Sequence, residues 1–471
     1  TPVSLIFGKY RKKEDINMQE EDIFELIDGK KYARLRELLS EMNPADIAQI
    51  CEDIPERELP VIFRILPKEL AAEVFVEMDP DMQQLLIEAF SDTELKEVMD
   101  ELFMDDTVDV IDEMPATVAK RILSQTDPKT RKMINQLLAY PDDSAGSIMT
   151  TEYIDLKKDM TVEQAFDRIR AIGIDSETIY TCYVIDRSRH LLGIVTVKDL
   201  LLNSNTCVLS DIMDENIIYA NTLDDKEEVA GQFEKYDLMA LPVVDKENRL
   251  VGIVTVDDAI DVIQEEATED IEKMAAILPS NRTYFRTGVF STFKARIPWL
   301  LLLMISATFT GAIISNFEEK LTVLPALIAF IPMLMDTGGN SGSQSSVTII
   351  RGISLGDIEF RDIFRVIWKE VRVALLCSTA LALVNFVKMI LVDYLMLHSF
   401  DPGKQIAEIA VVCLTLFFTV IVAKIVGCTL PILAKKVGFD PAVMASPFIT
   451  TIVDAISLFI YFNIAISILG I

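Results

Sequence analysis

Between Pro441 and Ile471 the chain carries one charged residue, Asp454, inside an apolar run long enough to cross a bilayer. Crossing the hydrocarbon as a helix takes about 20 residues. A carboxylate near the centre of such a helix raises its insertion free energy by roughly 2.5–3.5 kcal/mol, so it is retained where it has a task. An Asp that only packs helices together is one such task. A cation site on a membrane pathway suits the rest of the chain better, because the available chemistry is oxygen chemistry. The chain has two histidines, His190 and His398, and its six cysteines form no CxxC pair. Zinc enzymes and His-based catalysts therefore have almost nothing to work with, and the cysteines read as reduced, apolar fillers. Asp336-Thr337-Gly338 is the string that flanks aspartic-protease carboxylates, but a dyad needs two such strings and this one occurs once. An enzyme is not expected.

Further carboxylates are spaced for cations outside the apolar region. Asp105 and Asp109 are four apart and face the same way on a helix. Asp258, Asp261, Glu265 and Glu269 follow a three-or-four spacing that draws one acidic stripe. The charge is unevenly spread. Of the net −29, residues 1–285 contribute −31 and residues 286–471 contribute +2. A balance of that kind repels nucleic acid and anionic headgroups and attracts cations. The stretch at the start of the chain is polar, without a signal-peptide core.

The elements that position these residues fall into blocks. At 471 residues about three domains are expected. Residues 18–140 form an acidic helical domain of short units, with Asn43-Pro44, Leu66-Pro67 and Asp79-Pro80 as helix starts. Their recurrence predicts stacked antiparallel helices in a superhelix. Residues 144–260 hold a tandem repeat: Val184-Ile185-Asp186 and Leu192–Asp199 recur 59 residues later as Val243-Val244-Asp245 and Val251–Asp258. Each copy, about 144–208 and 209–260, reads strand–turn–strand–helix, the helix opened by Asp199 or Asp258. Ser147-Ile148-Met149, ahead of the strands in the first copy, recurs ahead of those in the second as Asp211-Ile212-Met213. The repeat resembles a pair of CBS domains, regulatory modules some of which bind adenosine nucleotides. That resemblance makes Thr196, Asp199, Thr255 and Asp258 candidate nucleotide contacts, with ATP as the candidate ligand.

Residues 261–296 read as a charged connecting helix with a basic approach (Arg282, Arg286, Lys294, Arg296) to a membrane domain over 297–471. Five spans are expected there, at about 297–315, 321–349, 373–392, 406–430 and 445–469. In the second, the string Gly338–Gln344 predicts an irregular break, buried in protein or lining a wet cavity, with close helix packing on its Gly and Ser residues as the alternative. Arg351, Arg361, Arg365, Lys369 and Arg372 follow span two, and Lys435 and Lys436 follow span four, against single lysines, Lys320 and Lys404, in the other connections. The positive-inside rule places the acidic half in the cytosol and Ile471 outside.

An acidic helical domain, a CBS pair, a connecting helix and five spans, in that order, resemble an MgtE-type magnesium channel/transporter. The motifs carrying the resemblance are Gly338–Gln344, Leu430-Pro431, Gly438–Ala442, Pro447 and Thr450–Asp454. The resemblance implies a plasma-membrane homodimer with a pore on its two-fold axis, lined by spans two and five, with Mg2+ as cargo and as regulator. Asp454 is then the pore carboxylate, with Thr450 carbonyls beside it where Pro447 loosens the helix. Asp440 lies at the cytosolic mouth, and Asn340, Ser446 and Pro447 line the pore. Ser446 stands where many relatives have Asn. Glu73, Asp105, Asp109, Gly146, Asp225, Glu227, Glu234, Asp237, Asp258, Asp261, Glu266, Glu269 and Asp270 are the regulatory Mg2+ positions that the resemblance implies. Mg2+ prefers octahedral oxygen and gives up water reluctantly, which suits a wide carboxylate site. The alternative is a broader carrier of Mn2+ or Co2+ with nucleotide-sensing CBS domains, which an oxygen-lined pathway does not exclude.

Overall fold

The computed structural model describes residues 23–280, 284, 287–317, 325–395, 402–444 and 446–470. Arg282, Arg286, Lys320 and His398, and the side chains of Lys404 and Ser446, lie outside the described residues. Two compact units divide the chain, residues 1–263 and 264–471.

In the first unit, short helices stack in two columns. Helix Pro44–Glu52 packs on Lys68–Val76, that on Asp92–Met99, and that on Ala116–Gln125. The second column runs Leu59–Phe63, Pro80–Ala89, Met104–Glu113 and Pro128–Leu137. Local chemistry starts these helices. Asn43 and Asp127 accept backbone N–H bonds ahead of a first-turn proline, and Ser91 with Glu94 forms a reciprocal capping box. Leu35, Phe75, Leu86, Leu95 and Ile122 are fully buried, and the same apolar core runs on into Leu241, Val254 and Val262.

Two three-stranded sheets follow. In the first, β1 (Asp155–Lys157) runs parallel to β2 (Thr181–Ile185), which pairs antiparallel with β3 (Leu191–Thr196). In the second, β4 (Ala220–Asn221), β5 (Ala240–Val244) and β6 (Leu250–Thr255) repeat that order. The 59-residue offset holds in register: Thr181 faces Thr196, and Ala240 faces Thr255. It also holds in the turns, where Arg189 and Asn248 adopt positive φ while Asp186 and Asp245 accept the turn N–H groups. The upstream motifs pack differently from the order of the repeat. Met213 lies where a side chain on Gly193 would sit, and Asp214 bridges Ile194, so Asp211–Met213 closes the first sheet. Met149 lies against Gly252, and Thr150 bridges Ile253, so Ser147–Met149 closes the second.

The helix expected to open at Asp199 is capped by Thr196, with Asp199 at its third position. The corresponding helix runs without a break from Val256 to Met274, so the second CBS helix and the start of the connecting helix are one element. The connecting segment predicted over 261–296 is not a single helix: this one ends at Met274, and the first spanning helix begins at Val289.

In the second unit the predicted spans become helices Val289–Asn316, Ile331–Ser354, Ile363–Leu395, Pro402–Val437 and Ser446–Leu469. Among the described residues four segments are long and apolar enough to cross a membrane by length and composition, within 289–316, 360–391, 406–437 and 441–469. Helix Ile331–Ser354 is long enough, at 24 residues or roughly 36 Å, but one of its faces is polar. The predicted break at Gly338–Gln344 is absent and the helix is continuous. The small residues serve close packing: side chains on Gly338, Gly339 and Gly342 would strike Thr419, Thr450 and Ile449, and one on Gly427 would strike the backbone of Gly342. The hydroxyls are satisfied inside the helix, Ser341 donating to the Thr337 carbonyl at 2.7 Å and Ser343 to Gly339 at 2.9 Å.

Candidate functional site

Helix Ile331–Ser354 presents its small residues to the Pro402–Val437 and Ser446–Leu469 helices and leaves a polar row elsewhere. Asp336, Asn340 and Gln344, four apart, are exposed in the single chain. With Lys424 they line a cavity of about 420 Å³. Asp454 sits half-buried on the adjacent helix, and the Asp336 carboxylate is close enough to repel it. Asp336 was missed as a partner of Asp454 in the sequence, although its spacing to Asn340 and Gln344 was a usable signal. Thr450 turns its hydroxyl to the Pro447 carbonyl (3.0 Å) and its methyl group to Gly339. Pro447 is the second residue of its helix, so it does not loosen the helix as expected: a first-turn proline gives up no helical hydrogen bond. Ser346 donates to the Met444 carbonyl at 2.9 Å, tying the polar helix to the turn before span five.

At the Asp440 end, a lysine stands between predicted ligands. Lys273 Nζ lies 2.6 Å from Asp440 and also pairs with Glu269. Burial opposes its charge, but the two carboxylates more than offset this and hold its pKa above the usual lysine value. Asp440 also accepts the Ala442 N–H at 2.7 Å. Ser354 donates to Asp270 at 3.1 Å; burial pushes that carboxyl up, and Asp440 adds repulsion. Met274 packs on Ile350 and Ala442. Lys273 was overlooked in the sequence because it reads as one more charge on a solvated helix face.

In the first unit, predicted and unpredicted acids converge. Asp105, 7% exposed, feels Asp258, Glu177 and Asp106. Burial first, and repulsion second, raise it well above the carboxylate range. The same causes raise Asp106 and Asp258 to about 6 and Glu177 to about 8. Asp109, expected to share the environment of Asp105, is exposed one turn along. The two acids do align on the helix, but packing covers Asp105 and, further along, Val108, Val110 and Ile111, and leaves Asp109 exposed. Asp258 accepts both the N–H and, at 2.5 Å, the hydroxyl of Thr255, and the Thr196–Asp199 pair repeats the arrangement at 2.5 Å.

The remaining predicted positions are more scattered. Asp225 caps helix Lys226–Tyr236 through the Glu227 and Glu228 N–H groups, and Asp237 ends it in a left-handed conformation. Glu73, Glu227, Glu234 and Asp261 are exposed, and Glu266 is half-buried. The Gly146 N–H donates to the Thr222 carbonyl, with Tyr140 filling the space where a side chain would be. Among the described residues no group of three or more His, Cys, Asp or Glu side chains is arranged to hold a metal ion. The carboxylates approach one another without closing into a ligand set.

An apolar helical bundle that includes a helix with a polar face, together with a helical domain and a repeated α/β pair, is the architecture of a membrane transporter that carries a CBS pair. The comparisons agree block by block. Residues 42–143 match the MgtE intracellular N domain, 145–204 and 209–265 match CBS domains, and 331–464 match the divalent cation transporter domain MgtE. The magnesium transporter MgtE of Thermus thermophilus is 36% identical over 92% of this chain and 94% of its own length. That of Bacillus subtilis is 34% identical over 93% and 95%. The solved cytosolic domain of the Mg2+ channel MgtE in complex with ATP is 35% identical, with a TM-score of 0.50 over 52% of this chain and 99% of that structure. The chain belongs to the MgtE family of magnesium transporters.

Proposed function

We propose that this chain carries Mg2+ across the cytoplasmic membrane as a homodimer, its acidic half in the cytosol and its C-terminal end outside. Asp454 is the carboxylate that meets the ion, with Asp336 and Asn340 on the facing helix and Thr450, Ser446 and Pro447 near the start of its own. The observation that carries this reading is that Asp336 and Asp454 lie on two closely packed helices, Gly338 against Val453 and Gly339 against Thr450, beside a cavity whose polar groups are oxygens, amides and Lys424. Two like charges there are tolerated best when a cation lies between them. Asp440 is the mouth carboxylate, and the acids from Glu73 to Asp270 are the regulatory positions. The convergence of Asp105 and Asp258 supports closure by Mg2+, which would turn their repulsion into cohesion.

ATP at the CBS pair is supported by the matching Thr196–Asp199 and Thr255–Asp258 pairs and by the ATP complex of the related cytosolic domain. Purified protein in liposomes loaded with a Mg2+ dye tests the transport reading. Asp454→Asn is expected to abolish dye response while leaving expression and assembly intact. Flux of Asp454→Asn equal to the parent would refute the pore assignment.

A further inference from the structure

The membrane bundle holds a second charged group of residues. Ser345 follows Gly342 by one turn, near the point where the polar helix crosses Pro402–Val437. Its hydroxyl donates to Glu370 Oε2 at 2.7 Å and accepts from Lys424 Nζ at 3.3 Å. Ser345 is 2% exposed, Glu370 9% and Lys424 5%. The hydroxyl thus joins a cation and an anion from two other helices, and buried charges of this kind are kept where they have a partner and a role. The two charges are not placed alike. Lys424 is on the wall of the cavity shared with Asp336, Asn340 and Gln344, whereas Glu370 is not among the cavity-lining residues. A lysine therefore borders a space that otherwise offers one carboxylate, two amides, the Thr337 and Ser341 hydroxyls and the side chains of Cys377, Ala380 and Leu381.

We propose that Lys424, anchored by Ser345 and balanced by Glu370, is a specificity-determining charge that weakens the hold of the Asp336 cavity on divalent cations so that they are released. Coulomb repulsion scales with the charge of the ion, so one ammonium acts on a divalent ion twice as strongly as on a monovalent one. Conduction requires binding that is favourable enough to admit the ion and weak enough to let it leave. An acidic cavity with no such charge would trap Mg2+.

The inference rests on the transport reading above, and the test separates the two. Full-length parent, Lys424→Gln, Glu370→Gln, the double variant and Lys424→Arg are compared in liposomes for Mg2+ uptake against Mg2+ concentration. Lys424→Gln is expected to lower both the half-saturating concentration, by about tenfold, and the maximal rate, because the ion is held longer. Glu370→Gln, which leaves the lysine uncompensated, is expected to raise the half-saturating concentration by a similar factor. The double variant should return towards the parent, and Lys424→Arg should stay with it. A purely structural brace predicts instead that both single variants lose rate with half-saturation unchanged, and that result would overturn the proposal. If Asp454→Asn conducts normally in the same vesicles, it is the transport reading that fails. If Asp454→Asn is silent and the two single variants shift in the same direction, the metering role alone fails.

Discussion

Replacing Asp258 by Asn is expected to stabilise the first unit, residues 1–263, at neutral pH in the absence of Mg2+. Asp258 is pushed up to about 6 from the ordinary aspartate value, by burial first and then by Asp257 and Asp261, against the favourable Thr255 bonds. A carboxyl whose folded pKa lies above its unfolded value binds its proton more tightly when folded. Its penalty is therefore absent below about pH 4, grows as pH rises towards 6, and is complete above that. A rise of roughly two pKa units corresponds to about 3 kcal/mol at pH 7.5. Because neighbouring acids share the repulsion, this is an upper bound. In a unit of this size each kcal/mol moves Tm by roughly 2–4 °C, so the ceiling is about 6–12 °C. Asn can still accept from the Thr255 N–H and hydroxyl, so the local bonds survive. Thermal unfolding of residues 1–274 should show the variant melting higher than the parent at pH 7.5 and level with it at pH 4. Millimolar Mg2+ should raise the parent and move the variant less, since one of the charges the ion would neutralise is gone. A Tm for Asp258→Asn no higher than the parent at pH 7.5, or a gain undiminished at pH 4, would refute the electrostatic account of this cluster.

Lys273→Met should free Glu269 and Asp440 from their ammonium, leaving Asp270–Ser354 and Met274 to hold the helix end. Cleavage by a protease near residue 274 should rise without Mg2+ and be suppressed at lower Mg2+ than in the parent; an unchanged protection curve would count against the latch. Gly427→Ala places a methyl group against the Gly342 backbone and should destabilise the bundle by about 1–3 kcal/mol, read as a lower thermal midpoint of the detergent-purified protein. Thr255→Val removes a hydroxyl bond to Asp258 without changing charge, and equilibrium dialysis should show weaker ATP binding if the CBS pair holds nucleotide through these residues.

The local and repeated features were legible in the residues alone. Caps at Asn43 and Ser91, the 59-residue register of the two sheets, the apolar helices and the lone carboxylate in the last of them depend on residues close in the chain, or on a pattern that recurs. Tertiary structure decided what depends on distant partners. The same glycines and serines that read as a break in span two form an unbroken helix, because Thr419, Ile449 and Thr450 fill the space their missing side chains leave. Met149 closes the sheet of the second repeat and Met213 that of the first, a pairing that equal motifs cannot announce. Asp105 and Asp109 lie on one helix, yet only Asp105 is buried, within electrostatic reach of Glu177 and Asp258 from far along the chain. Lys273 and Lys424 read as single charges until Asp440 and Ser345 are brought to them. The strength of a charge depends on burial and on what faces it, and both are set by contacts between residues far apart in the chain.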